Sequence, residues 1–145
     1  MIDAKLAPYG VFLLRVSLGT MFVAHALLKY LVFTMPGFAG FLAQVGLPPA
    51  LGWPIFLAEL IGGLAIIAGL YGRWVSLALL PVLLGAFVVH WPNGWLFTAA
   101  NGGWEYPAFL ILAAVTHILA GEGAFALRPA RLPLTASAAI SPQTA

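Results

Sequence analysis

The sequence contains no cysteine and very few charged residues, and both shortages restrict what the protein can be. Without thiols, the chain cannot form disulfides, thiolate metal sites or iron–sulfur clusters. Charged side chains make up 7% of the sequence, whereas soluble domains carry about 25%. The net charge of +2 and the lack of a basic cluster exclude an ordinary nucleic-acid-binding surface.

Apolar residues take the place of the missing charges. They reach 63% of the 145 residues and gather in four stretches, each near the roughly 20 residues that a helix needs to cross a bilayer. This pattern predicts one all-α domain over residues 1–126, an integral membrane four-helix bundle. Residues 127–145 are rich in Pro, Ser, Thr and Ala, and predict a disordered cytoplasmic tail. The expected spans cover residues 9–33, 53–71, 74–91 and 104–121.

The positive charges that flank the predicted spans fall on one side. Lys5 precedes the first span, Arg73 lies between the second and third, and Arg128 follows the fourth. The longer loops after the first and third spans contain no Lys or Arg. The positive-inside rule therefore predicts that both termini are cytoplasmic. The first outer loop is apolar enough over residues 38–45 to form a short helix at the membrane interface.

One segment of the first span imitates a secretory signal. Lys5 and Arg15 precede an apolar run over residues 16–24, and Ala24-His25-Ala26 has the small-x-small pattern of a cleavage site. The apolar stretch continues beyond this site and is long enough to cross the bilayer. We therefore expect the first span to stay uncleaved.

Ionisable side chains inside apolar spans are costly, and they usually mark a functional site. In the first span, Arg15, His25 and Lys29 follow three- and four-residue spacing and so share one helix face. In the second span, Glu59 lies one position from a stripe of small residues of the kind that lets membrane helices pack closely. It is therefore expected to face the bundle interior, where a carboxylate must be paired or protonated. Glu59 and His25 are the candidate catalytic residues.

The helical rise of 1.5 Å per residue gives each of these side chains an approximate depth. One group falls within a band about 10 Å tall in the outer half of the bilayer. The group consists of His25, Lys29, Glu59, His90 and Glu105. This band predicts a polar ligand-binding pocket that opens outward. Arg15 lies deeper, level with His117 of the fourth span, and the two predict a second, inner polar pair.

Each of these residues also has a structural explanation. Lys29 can extend its ammonium to the interface, and Arg15 can reach the inner headgroups in the same way. His90 and Glu105 lie at span ends, where exposure costs little. His117 can bond a backbone carbonyl in the core. The sequence leaves these alternatives open.

Several motifs, in order over residues 11–128, resemble the DoxX family of small four-helix membrane proteins. They are Arg15-Val-Ser-Leu-Gly19 with His25-Ala-Leu-Leu-Lys29, the segment Phe41-Leu-Ala-Gln-Val-Gly46-Leu-Pro48, Ala58-Glu59-Leu-Ile-Gly62-Gly63 through Gly69-Leu-Tyr-Gly-Arg73, and His90 followed by Gly102-Gly103-Trp-Glu105-Tyr106-Pro107. Gly121-Glu122-Gly123 departs from the family, which often has Gly-Pro-Gly there.

The resemblance implies a protein of the bacterial inner membrane that serves a quinone-linked redox or oxidative-stress system. A peripheral or membrane-bound redox enzyme is the partner it implies, in addition to the lipid bilayer. The positions that match the family, and that the depth argument also found, are the expected ligand-binding residues. They are Arg15, His25, Lys29, Glu59, His90 and Glu105.

Three functions remain open at this point. The first is a quinone-binding subunit of an oxidoreductase, either catalytic itself or dependent on a partner for electrons. The second is a membrane scaffold that anchors a partner enzyme. The third, less favoured, is a carrier for a small solute or proton, for which a homodimer is expected because four spans are few. A haem between His25 and His90, or a metal site, is not expected, since no closely spaced ligand motif is present.

Overall fold

The structure, a computed structural model, describes residues 3–128. All secondary-structure elements of three or more residues in that range are helices. This confirms the all-α prediction. Short 3₁₀ turns at Pro49–Leu51 and Trp91–Asn93 flank two of the helices. The α-helices are α1 (Ala7–Leu27, continued by a π-helix over Leu28–Val32), α2 (Met35–Gln44), α3 (Gly52–Ala68), α4 (Gly72–His90) and α5 (Glu105–Ala120).

The four predicted spans all coincide with helices. Three segments are long and apolar enough to cross a membrane by length and composition, namely Ala7–Val32, Pro49–Ala68 and Gly72–Asn93. The fourth, Glu105–Ala120, is also apolar but has only 16 residues, or about 24 Å of helix. It falls short of the hydrocarbon thickness by about 6 Å, so flanking residues must complete this span.

The four long helices close into a bundle. α1 packs on α3, α3 on α4, α4 on α5, and α5 returns to α1. Large apolar side chains also cover the outside, where Leu13, Ile61 and Leu119 are exposed. Helices that are hydrophobic all round suit a lipid environment rather than water.

Helices α1 and α3 approach each other closely through two glycines. A Cβ atom added to Gly19 would lie 2.7 Å from the carbonyl oxygen of Gly63, and one added to Gly63 would lie 2.8 Å from that of Gly19. Neither distance is tolerable, so only glycine fits at this crossing. Small residues at such contacts let membrane helices gain dispersion energy by close packing.

The centre of the bundle is an apolar layer. On α1, α4 and α5 this layer lies between a polar residue nearer one end of the helix and a polar residue nearer the other. On α1, for example, Leu18 and Phe22 separate Arg15 from His25. The layer is formed by the buried side chains of Leu18, Phe22, Ile66, Leu79, Leu83, Leu110 and Ala114. It divides the polar residues of the bundle into two separate groups.

Helix α2 confirms the short helix predicted in the first loop. It begins after Thr34, whose hydroxyl caps the helix by accepting a hydrogen bond from the Gly37 amide at 3.3 Å. Its buried side chains pack with Ala26 of α1 and Phe56 of α3. Those side chains are Met35, Phe38 and Leu42. Helix α2 therefore covers the loop end of the α1–α3 pair.

The segment over residues 121–128 folds back across the opposite end of the bundle, and we call it the strap. It binds both the start of α1 and the end of α3. Its backbone bonds run from Ala124 N to Pro8 O (2.9 Å), from Leu127 N to Ala68 O (3.1 Å) and from Arg128 N to Gly69 O (2.9 Å). The predicted tail began at residue 127, so its first two residues are bonded to the bundle. Residues 129–145 of that tail lie outside the described residues.

Candidate functional site

An ion pair between α1 and α3 lies at the centre of the candidate site. Lys29 Nζ is 2.6 Å from Glu59 Oε2, and the two side chains are only 14% and 6% exposed. The depth argument placed both residues in one band, and the structure brings them into direct contact. A charge at membrane depth is costly unless it is paired. Each residue therefore supplies the opposite charge that makes burial of the other tolerable.

Lys29 occupies an unusual piece of backbone. Helix α1 changes to a π-helix at Leu28, and Phe33 N bonds the carbonyl of Leu28 five residues back. The ammonium of Lys29 also donates to the His25 carbonyl at 3.5 Å and lies 5.4 Å from the centre of the Phe38 ring. Wide turns of this kind are rare and often occur at functional sites. Here the wide turn contains Lys29, and Phe38 of α2 places its aromatic ring next to the lysine ammonium.

His25 is oriented by its own helix. Its Nδ1 atom lies 2.8 Å from the Met21 carbonyl, and since a carbonyl only accepts, Nδ1 carries the hydrogen. The other ring nitrogen, Nε2, makes no hydrogen bond within the described residues, and in the neutral imidazole it holds a free electron pair. The imidazole is therefore available as an acceptor or a base on the same helix face as Lys29.

Tyr106 of α5 completes this group, although it was not among the predicted site residues. Its ring stacks on that of His25, with centroids 5.6 Å apart and planes at 22°. The phenolic oxygen is buried and has no hydrogen-bond partner among the described residues. Buried hydroxyls are nearly always hydrogen-bonded, so this oxygen calls for an explanation. We call Lys29, Glu59, His25 and Tyr106 the outer cluster.

His90 and Glu105, predicted to share the pocket, organise the loop between α4 and α5 instead. His90 Nδ1 donates to the carbonyls of Asn101 and Gly102 at 3.1 and 3.2 Å. The Glu105 carboxylate accepts from the Phe97 amide at 2.8 Å. Within residues 3–128, none of their hydrogen bonds reaches Lys29, Glu59 or His25. No group of three or more His, Asp or Glu side chains in this range could hold a metal ion.

Arg15 lies at the other end of the bundle and holds the strap. Its guanidinium donates to the Glu122 carbonyl at 2.8 Å and to the Phe125 carbonyl at 3.4 Å. The side chain is fully buried at 1% exposure and also lies 5.4 Å from the Phe12 ring. Arg15 therefore does not reach the inner headgroups, which was one of its structural explanations. It bonds backbone carbonyls inside the protein.

His117 forms the second part of this inner group. Its Nδ1 atom is 2.9 Å from the Ser76 hydroxyl, and its Nε2 atom is 3.6 Å from Glu122 Oε2. The same carboxylate accepts from the Arg73 amide at 2.9 Å and so caps the first turn of α4. Gly72 makes room for it, since a Cβ there would collide with Glu122. We call Arg15, Ser76, His117 and Glu122 the inner cluster.

The predicted inner pair of Arg15 and His117 thus meets through a third residue that the sequence did not single out. Glu122 follows α5 and lies outside every predicted span, so an argument based on depth inside the spans passed over it. Two signals pointed to it: the chain contains only four acidic residues, and Glu122 stands where the sequence departs from the family motif. Ser76 and Tyr106 gave no comparable signal, since one hydroxyl in an apolar helix is common.

The fold and these buried groups define the class of the protein. An all-helical chain with several apolar helices, closed into a bundle around paired charges, is a multi-pass membrane protein. A family model described as DoxX matches residues 10–91. The chain therefore belongs to the DoxX family, as the motifs around Arg15, His25 and Glu59 predicted.

One curated relative carries a functional name. The chain is 32% identical over 120 residues to "Putative oxidoreductase CatD" of Bacillus subtilis (strain 168), which covers 83% of this chain and 85% of that protein. The aligned stretch of 120 residues is longer than the part matched by the family model. No solved structure matches the chain.

Proposed function

We propose that this protein is a quinone-binding membrane subunit of a redox or oxidative-stress system, with both termini in the cytoplasm of a bacterial cell. The observation that carries the proposal is the Lys29–Glu59 pair beside a histidine whose Nε2 is free. The relative named as an oxidoreductase supports a redox role. The positive charges of Lys5, Arg73 and Arg128 support an orientation with both termini in the cytoplasm.

The outer cluster offers a quinone headgroup complementary chemistry. The Lys29 ammonium stabilises negative charge on a carbonyl oxygen. His25 Nε2 accepts or returns a proton at that oxygen, and Glu59 balances the charge of the lysine. The stacked rings of His25 and Tyr106 provide a flat apolar surface for a planar molecule. Candidate ligand contacts are therefore Lys29, Glu59, His25 and Tyr106.

Electrons would come from a second protein or from a cofactor bound elsewhere. The sequence contains no cysteine for an iron–sulfur centre or a redox disulfide, and no Gly-x-Gly-x-x-Gly dinucleotide motif. We therefore propose a redox enzyme as partner, with this chain holding the quinone and exchanging its protons.

Binding of a short-chain benzoquinone to the protein in lipid nanodiscs tests the proposal. Glu59→Gln and Lys29→Met should each weaken binding on the order of tenfold, as loss of one charge-assisted contact does. Lys5→Met removes a lysine outside the bundle and should leave the affinity unchanged. Absence of binding by the unaltered protein would refute the proposal.

The double variant Lys29→Met/Glu59→Gln separates a binding role from a purely structural one. It removes both charges together, so no unpaired charge is left and thermal stability should largely return. If the ion pair binds the ligand, quinone affinity stays low in the double variant. If it only holds the helices together, affinity returns with stability.

The same geometry favours a second function, a membrane scaffold for a partner enzyme. Lys29 and Glu59 satisfy each other directly across the α1–α3 contact, which is what a pair that specifies helix packing would do. Under this alternative, the single variants lower stability without any change in small-molecule binding. Co-purification of the same partner by the wild-type chain and the double variant would support it.

A further inference from the structure

A groove runs along the outside of α5 beside the loop that follows α4. Its volume is about 410 Å³, within the range of small-molecule sites. Apart from Glu105, its walls are aromatic or aliphatic, and the oxygen Oε1 of Glu105 is already bonded to the Phe97 amide. The lining residues are Trp95, Phe97, Glu105, Tyr106, Ala108, Phe109 and Leu112.

Tyr106 belongs both to this groove and to the outer cluster. It lines the groove, and its ring stacks on the imidazole of His25. Its hydroxyl is buried without a partner among the described residues. The groove and the polar side chains on α1 and α3 are thus connected through one aromatic residue that carries an unused hydrogen-bond donor.

We propose that the groove binds the apolar tail of the quinone, and that Tyr106 positions its headgroup toward His25 and Lys29. This inference rests on the proposed function and adds a binding surface and a positioning residue to it. The occupant follows from the chemistry of the walls, since Ala108, Phe109 and Leu112 offer only apolar contacts. The Tyr106 hydroxyl would donate to a headgroup carbonyl.

The position of the groove suits a ligand dissolved in the bilayer. Phe109 and Leu112 are exposed on the outer face of α5, where lipid would surround them. A molecule with a long apolar tail can enter sideways from the membrane and keep its tail out of water throughout. A water-soluble ligand would gain little from these walls.

The test compares two benzoquinones with the same ring substituents, one with a decyl tail and one with a methyl group. Affinity is measured in nanodiscs by quenching of tryptophan fluorescence. Ala108→Phe fills the groove and should weaken binding of the decyl compound about tenfold or more, because several methylene contacts are lost. Binding of the methyl compound should change less than about twofold. Ala78→Phe adds the same ring on an exposed part of α4 and is the matched control.

Tyr106→Phe tests the headgroup contact. It keeps the stacked ring and removes only the hydroxyl, so both quinones should bind about three- to tenfold more weakly. Tyr30→Phe removes the hydroxyl of an exposed tyrosine at the same end of the bundle and should have no effect. Melting temperatures establish that each variant is folded, and Leu112→Trp fills the groove at its other end if Ala108→Phe is unstable.

The outcomes separate this inference from the proposed function. If the unaltered protein binds neither quinone, the proposed function fails and the groove inference fails with it. If both compounds bind and Glu59→Gln weakens them, while Ala108→Phe and Tyr106→Phe bind like the wild type, only the groove inference is overturned. Selective loss of the decyl compound in Ala108→Phe supports it.

Discussion

Lys29 and Glu59 meet across the α1–α3 contact at 2.6 Å, and each supplies the counter-charge that the other needs inside the bundle. The pair lies beyond the glycine crossing, at the end covered by α2. The packing of α1 against α3 determines how close Lys29 and Glu59 come to each other. Any disturbance of the α1–α3 approach should therefore reach the ion pair.

The first prediction concerns the stability of this pair. Glu59→Gln leaves the Lys29 ammonium without its counter-charge and should lower the free energy of unfolding by about 2–3 kcal/mol. This is at the low end for a buried pair because Lys29 keeps 14% exposure. Denaturant titration in mild detergent measures it. Stability equal to that of the wild type would mean that the pair contributes nothing to folding.

The second prediction concerns the glycine crossing. Gly19→Ala places a methyl group 2.7 Å from the Gly63 carbonyl oxygen, so α1 must move away from α3. We expect a loss of about 1–3 kcal/mol. Gly85→Ala is the control, because nothing lies within 4 Å of its added Cβ. That substitution should be neutral or stabilise α4 by up to about 1 kcal/mol. Equal melting temperatures for the two variants would contradict a close approach of α1 and α3 at Gly19.

The third prediction concerns the strap. Arg15→Met removes the two hydrogen bonds to the Glu122 and Phe125 carbonyls. The amides of Ala124 and Leu127 should then exchange hydrogen for deuterium faster, on the order of tenfold, since local opening costs less. Mass spectrometry of C-terminal peptides measures the exchange.

Arg128→Met is the matched control for the strap, since that guanidinium is exposed and contacts the Tyr71 ring. It should change the exchange of the same amides much less. Faster exchange throughout the bundle in Arg15→Met would instead indicate global destabilisation and would count against a specific role for Arg15.

The fourth prediction concerns orientation in the membrane. Because the chain has no cysteine, a single introduced thiol gives a signal without background. Asn101→Cys should react with a membrane-impermeant maleimide in intact cells, whereas Lys5→Cys should react only after lysis. Arg128→Cys should behave like Lys5→Cys, because the strap lies beside the start of α1. Labelling of Lys5→Cys in intact cells would reverse the proposed topology.

Sequence reasoning placed His25, Lys29 and Glu59 in one band because helical rise determines depth. It could not determine which side chains at equal depth touch, since that depends on the rotation of each helix. His90 and Glu105 show the difference, because they lie at span ends and bond the loop backbone. The π-helix at Leu28 was not predictable either, since no proline or glycine in that stretch signals a change in helix type.

Arg15 and His117 of the inner cluster were predicted as a pair, but the residue that joins them was not. That residue, Glu122, comes after α5 and reaches the bundle only because the strap turns back. Such a turn depends on tertiary hydrogen bonds to Arg15 and to the end of α3, which no local pattern contains. The motif departure at Gly121-Glu122-Gly123 marked the correct place without revealing its role.

The apolar layer described above has an electrical consequence. Seven buried hydrocarbon side chains, from Leu18 to Ala114, separate the outer cluster from the inner one, and among residues 3–128 no side-chain hydrogen bond joins the two clusters. In the proposed quinone chemistry, protons exchanged near Lys29 would come from and return to the face of the membrane beside the outer cluster. Proton exchange at this site would then carry no proton across the bilayer.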